Sequence, residues 1–149
     1  MSSIETLIAE IKNDRGEFGL SIPQGLDNKD VDSFRIKFKE YFKTSLDDGY
    51  LEFLKICNGL EENGVIIYSS NDFDVNNVLY GIFENNEVWY DQDKENRRYI
   101  FFAESGQYTF VFNKTEMNFE LLDRYSGDVV EVFDSFNKML ERILKLMLT

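Results

Sequence analysis

The chain has 149 residues, 43% of them hydrophobic, enough for one ordinary domain with a core of its own. It carries 16 basic and 28 acidic residues, a single cysteine (Cys57) and no histidine. These numbers exclude an internal disulfide, a thiolate or imidazole metal cluster, and Ser-His or Cys-His nucleophilic catalysis. A net charge of −12 also argues against nucleic acid and anionic membranes as partners, and favours basic ones. The charge is segregated. Residues 61–134 hold five basic and 16 acidic residues, a net of −11, whereas residues 1–60 hold eight and 11 and residues 135–149 three and one. Solubility alone does not need such segregation.

A lone cysteine suits the cytosol. The opening stretch MSSIETLIAEIK has neither the basic start nor the apolar run of a signal peptide. No stretch approaches the roughly 20 apolar residues of a membrane span. A cytoplasmic protein with no cofactor is the expectation.

The first predicted helix begins at a Ser2/Glu5 capping box and places Ile4, Leu7, Ile8 and Ile11 on one face. Pro23 and Gly25 mark a connecting loop. A second helix starts near Asp30, with Val31, Phe34, Phe38, Tyr41 and Phe42 on its apolar side. A third starts at Asp47 or Asp48, with Tyr50, Phe53, Leu54 and Cys57 at i, i+3, i+4, i+7 spacing. Asn58-Gly59 ends it through residues that tolerate the left-handed conformation, and Cys57 reads as a small buried hydrophobe.

Beyond Gly64 the period changes to that of strands. Val65–Tyr68 is a short strand, and residues 69–77 form a polar loop that contains Phe73. Residues 78–96 are ambiguous, with Asn85-Asn86 reading as a turn or a helix start before Glu87-Val88-Trp89-Tyr90. Strands follow at Arg98–Ala103, Tyr108–Asn113 and Asn118–Leu122, and a short one at Val129–Val132. Connections this short require antiparallel neighbours. Asp134 or Ser135 caps a last helix with Phe136, Leu140, Ile143, Leu144 and Met147 on its apolar face. The fold class is therefore α+β in a single domain over residues 1–149, with N-terminal helices and a C-terminal helix packed on a mainly antiparallel sheet.

Motifs for chemistry are sparse. There is neither a G-x-x-x-x-G-K-[ST] loop nor a G-x-G-x-x-G fingerprint. Asp72-x-Asp74-x-Asn76 and Asp91-x-Asp93-x-Glu95 begin like calcium loops, but Phe83 and Phe102 stand where the closing glutamate belongs. No metal site is expected, and no carboxylate pair stands out as an acid–base couple. Trp89, set with Tyr90 among Glu84, Glu87, Asp91 and Asp93, reads either as core or as an interface anchor.

One helix carries a family likeness. Tyr50-Leu51-Glu52-Phe53-Leu54-Lys55-Ile56-Cys57-Asn58-Gly59 resembles the Y-x-x-F-L-x-x-x-N-G helix of the SUKH superfamily, which includes the fungal Smi/Knr regulators. The strand at Gly64–Tyr68, the Asn-rich segment reaching Trp89, the turn Ala103-Glu104-Ser105-Gly106 and the stretch from Ser126 to Phe136 are similar in order. The nearest likeness is to a bacterial, YrhA-like branch, and it spans roughly residues 30–148. The usual Leu-Pro before the Tyr-x-x-Phe-Leu helix is replaced by Ser45-Leu46-Asp47-Asp48-Gly49, where an aspartate cap serves instead.

The resemblance implies an α+β fold, no catalytic residues, and an immunity protein that binds and neutralises a toxin. A regulatory interaction module of the Smi/Knr type is the alternative. A basic, nuclease-type toxin suits the composition. The expected partner-contact residues are Glu61, Glu62, Asp72, Phe73, Asp74, Glu84, Glu87, Trp89, Tyr90, Asp91, Asp93 and Glu95.

Overall fold

The computed structural model describes residues 3–70, 74–75 and 78–149, without side chains at 74, 75, 78 and 79. Ser2, Asp72 and Phe73 lie outside the described residues, and so does the side chain of Asp74.

The helical start follows its hydrophobic periodicity. Helix α1 (Ser3–Glu17) buries Ile8 and Ile11, and α2 (Asn28–Phe42) buries Phe34, Phe38 and Phe42. Helix α3 (Asp48–Ile56) is capped by Asp47, whose Oδ1 accepts the amides of Gly49 and Tyr50. Its stripe of Tyr50, Phe53, Leu54 and Cys57 is fully buried. The Asn-Gly pair after it differs from the expectation. Cys57 closes the helix in an extended conformation, and of the pair only Gly59 has a positive φ, +89°. Asn58 instead holds the chain at Ser70: its side chain accepts the Ser70 amide at 2.8 Å and donates to the Ser70 hydroxyl at 3.0 Å. A Cβ on Gly59 would lie 2.9 Å from that of Ser69, so the position needs both the conformation and the space of glycine.

The sheet has six strands. They are β1 (Leu60–Glu62), β2 (Val65–Ile67), β5 (Tyr99–Glu104), β6 (Tyr108–Asn113), β7 (Asn118–Asp123) and β8 (Val129–Phe133), ordered β1-β2-β5-β6-β7-β8 with every pair antiparallel. The sequence reading missed β1. It joins β2 through Asn63-Gly64, both at positive φ, a two-residue hairpin turn suited to these residue types. β3 (Asp74–Val75), within the stretch expected to be loop, pairs with β4 (Val78–Leu79), at the start of the ambiguous stretch, as a separate two-stranded sheet. One face of the sheet carries α5 (Phe136–Met147), which also packs on α1 and α3. Ser135 caps α5 by accepting the Lys138 amide.

The ambiguous segment is helix α4 (Ile82–Gln92), followed by a 3-10 turn over Lys94–Arg98. Asn85 and Asn86 lie inside this helix and do not form a turn. The reason is tertiary. Beyond Tyr68, whose amide donates to the Phe102 carbonyl, the chain leaves β5 to meet Tyr80 and Ile82. Among the described residues, no strand lies beside the rest of that β5 edge. Fully buried Asn86 takes the strand's place: Oδ1 accepts the Phe101 amide and Nδ2 donates to the Phe101 carbonyl, each at 2.8 Å. One turn later on the helix, the Tyr90 hydroxyl donates to the Tyr99 carbonyl at 2.6 Å.

A run of ring contacts joins the layers. Phe83 of α4 meets Phe34 of α2, Phe34 meets Tyr50, and Tyr50 meets both Phe102 of β5 and Phe136 of α5. The α+β expectation therefore holds, with helices on both faces of an antiparallel sheet.

Asn86→Leu keeps the branched shape but leaves the Phe101 amide and carbonyl buried without partners. It should destabilise the fold by about 3 kcal/mol, read as a lower urea midpoint with the slope unchanged.

Candidate functional site

The site is built where α4 and the 3-10 turn cover the second sheet face. Trp89, on the inner side of α4, stacks on Phe101 at 4.9 Å and an interplanar angle of 9°. Its indole N–H donates to the Tyr68 hydroxyl at 3.0 Å, and the Arg124 guanidinium lies over its ring at 5.1 Å. Arg124 in turn donates to Glu104 at 3.1 Å and to the Ser105 carbonyl at 2.7 Å. Burial, followed by the Glu104 charge, pushes the Tyr68 hydroxyl well above its ordinary value. Trp89, Tyr68, Glu104 and Arg124 thus form a closed ring of contacts that holds the indole in one orientation. Trp89 is half-buried, packed by Phe101 and Arg124, and lines the adjoining cleft.

Beside it opens a cleft of about 340 Å³. One wall is the end of α4 and the 3-10 turn, with Gln92, Asp93 and Glu95. The other is the β7–β8 turn from Asp123 to Gly127, and Thr109 and Leu122 contribute from the strands between. Asp93 caps the 3-10 turn by accepting the Glu95 amide. Asp123 accepts the amides of Tyr125 and Ser126, which lowers its carboxyl below the usual range.

The remaining expected contact residues fall in three places. Glu84, Glu87 and Asp91 line the outward side of α4, a helix without a basic residue, and flank Val88, which is 56% exposed. Glu87 accepts a hydrogen bond from the Tyr41 hydroxyl; burial and then Glu87 raise that hydroxyl's pKa. Glu61 and Glu62 sit on β1. Arg15 donates to the Glu61 carbonyl at 2.6 Å and lies 4.0 Å from the Glu62 carboxylate. The Tyr80 hydroxyl donates to the Glu61 carboxylate at 2.6 Å, and burial and Glu61 push it up to about 12.

Tyr90 must be corrected. It is only 6% exposed and its hydroxyl is bound to β5, because i to i+4 spacing from Asn86 turns it inward. It is a core residue and offers a partner almost nothing.

Three arginines of the acidic segment, not singled out in the sequence, pack against aromatic rings of the site. Arg97 lies over the Tyr90 ring at 5.1 Å, Arg98 over Tyr99 at 4.9 Å, and Arg124 over Trp89. All three guanidinium groups rest on aromatic faces of the site.

Among the described residues, no group of three or more acidic or cysteine side chains converges in a way that would hold a metal ion, and no helix is long and apolar enough to cross a membrane. Cys57 is buried, its thiol donates to the Gly59 carbonyl, and burial pushes its pKa up to about 12.

A family model settles what kind of domain this is. The SMI1 / KNR4 family (SUKH-1) model matches residues 36–142, well over half of the chain. The chain belongs to the SUKH-1 family. The matched span runs from the middle of α2 into α5, so it includes α4, the cleft and β8, whereas α1 lies outside it. SUKH-1 membership accounts for the order of Tyr50–Gly59, the sheet and the closing helix. No curated protein matches the chain.

Cys57 should be unreactive toward a thiol reagent at mildly alkaline pH until the chain unfolds. Raising the thiol from 9.0 to about 12 lowers its thiolate fraction about a thousandfold. The same shift makes this group's stabilising effect complete below pH 9 and progressively lost as pH rises from there toward 12. Reagent labelling in native buffer and in urea checks the first statement.

Proposed function

We propose that this protein is a toxin-neutralising immunity protein, of the kind its bacterial SUKH likeness implies, and that it binds a basic, nuclease-type toxin through an acidic surface in the cytoplasm. The observation that carries the reading is the outward side of α4. Glu84, Glu87 and Asp91 surround an exposed Val88 without any basic residue on the helix. An apolar centre with a charged rim suits a specific protein interface. Asp93, Glu95 and Asp123 add acidic groups at the adjoining cleft, whose lining also includes Arg98 and Arg124.

A long-range field of this kind raises the encounter rate with a basic protein, and the effect declines with salt. Asp93 is a poor site for testing it, because its carboxylate also caps the 3-10 turn. Glu84 and Asp91 are better chosen.

With the partner isolated by affinity capture from the source cells, Glu84→Lys combined with Asp91→Lys should slow association about tenfold and flatten its dependence on ionic strength. Stopped-flow binding reads both quantities. Unchanged association kinetics would rule out this surface.

A further inference from the structure

The two edges of the sheet are not alike. β1, at one end, has three residues, two of them glutamates, and Arg15 is bound to its Glu61 carbonyl. Such an edge is short, charged and partly covered, the usual ways of preventing further pairing. β8, at the other end, has five residues, Val129–Phe133, and neither proline nor lysine. It pairs with β7 on one side, and among the described residues no strand lies on the other. An antiparallel edge strand leaves about half of its amide and carbonyl groups pointing away from the sheet.

All β8 side chains but that of Phe133 are exposed. Val129, Val130 and Val132 are 51%, 54% and 54% exposed, and Tyr125, on the turn that leads into the strand, is 84% exposed. Val129 lies opposite Leu122 and Val132 opposite Glu120, so both stand on the sheet face that carries the cleft. A register shift near Leu122 bends the Val129 end, but Glu131, Val132 and Phe133 keep regular pairing.

Charge selects among the strands that would fit. Glu131 is paired with Arg142 and Asp134 with Lys138, both from α5. Asp123, Asp128 and the buried Glu120 have no cation in ion-pair range among the described residues. A second copy would bring the same acidic strand against itself, within a chain of net charge −12. A basic strand meets the opposite situation.

We infer that β8 is a docking edge that takes an extended segment of a basic partner protein by strand addition. The segment's backbone pairs with the free side of β8, its apolar side chains cover Val129 and Val132, and its cationic ones face Asp123 and Asp128. The inference rests on the proposed function for the basic character of the partner, and on the sheet geometry for the mode of binding.

The test uses the full isotope-labelled chain and a short capped peptide of alternating lysine and valine, followed by amide NMR. A second peptide of the same sequence carries N-methyl groups on alternate amides, in each of the two phases, which blocks strand pairing but keeps charge and side chains. The first peptide should give saturable shifts and slowed hydrogen exchange at Val129–Phe133. At least one methylated phase should bind about tenfold more weakly. Val132→Lys, verified as folded by circular dichroism, should abolish the β8 shifts.

Equal binding of all the peptides, shifts centred on Glu84 and Asp91, or no saturable shift would each overturn strand addition. A captured basic partner whose affinity is unchanged by Val132→Lys would also overturn it, while leaving the immunity reading intact. Self-association of the chain through β8 in sedimentation would overturn the choice of partner.

Discussion

The structure depends on how one strand edge is satisfied. β2 is too short to pair with all of β5, and a buried amide and carbonyl at Phe101 are left without a strand. Unpaired, they would cost several kcal/mol. The Asn86 side chain supplies both bonds from a helix, and Tyr90 supplies the next one along the strand at Tyr99. α4 is thereby held in one rotation about its axis. That rotation places Trp89 and Tyr90 inward and leaves Glu84, Glu87, Val88 and Asp91 outward. The acidic face is a consequence of a hydrogen-bonding requirement on the opposite side of the same helix.

The rest of the core supports this placement through aromatic packing. Tyr50 is fully buried, touches Phe34, Phe102 and Phe136, and donates its hydroxyl to the Tyr68 carbonyl. Tyr68 then accepts from Trp89. The helix that bears the family signature and the helix that bears the acidic face are therefore joined through two consecutive tyrosine hydrogen bonds. Interiors this densely packed move little, which suits a surface prepared for a partner in advance.

The charge distribution has a structural cause as well. The acidic middle segment contains five basic residues, and three of them, Arg97, Arg98 and Arg124, lie flat on Tyr90, Tyr99 and Trp89. Glu61 and Glu62, by contrast, are drawn toward Arg15 and Tyr80 on β1, away from the cleft. A linear count of charge thus overstates the contribution of the β1 acids at the cleft.

The sequence by itself determined the elements whose signals are local. Residues at 3.6-fold spacing located α1, α2, α3 and α5, and short connections made the meander from β5 to β8 antiparallel. Asp47 and Ser135 were legible as caps because capping depends on residues two or three positions away. The family likeness likewise lay in contiguous motifs. Only the tertiary structure decided α4, because asparagines weaken a helix unless a distant strand rewards them. It also decided that Tyr90 is core, that Trp89 is a fixed wall, and that β8 is an open edge. Each of these depends on what lies across space from the residue, and periodicity along the chain carries no such information.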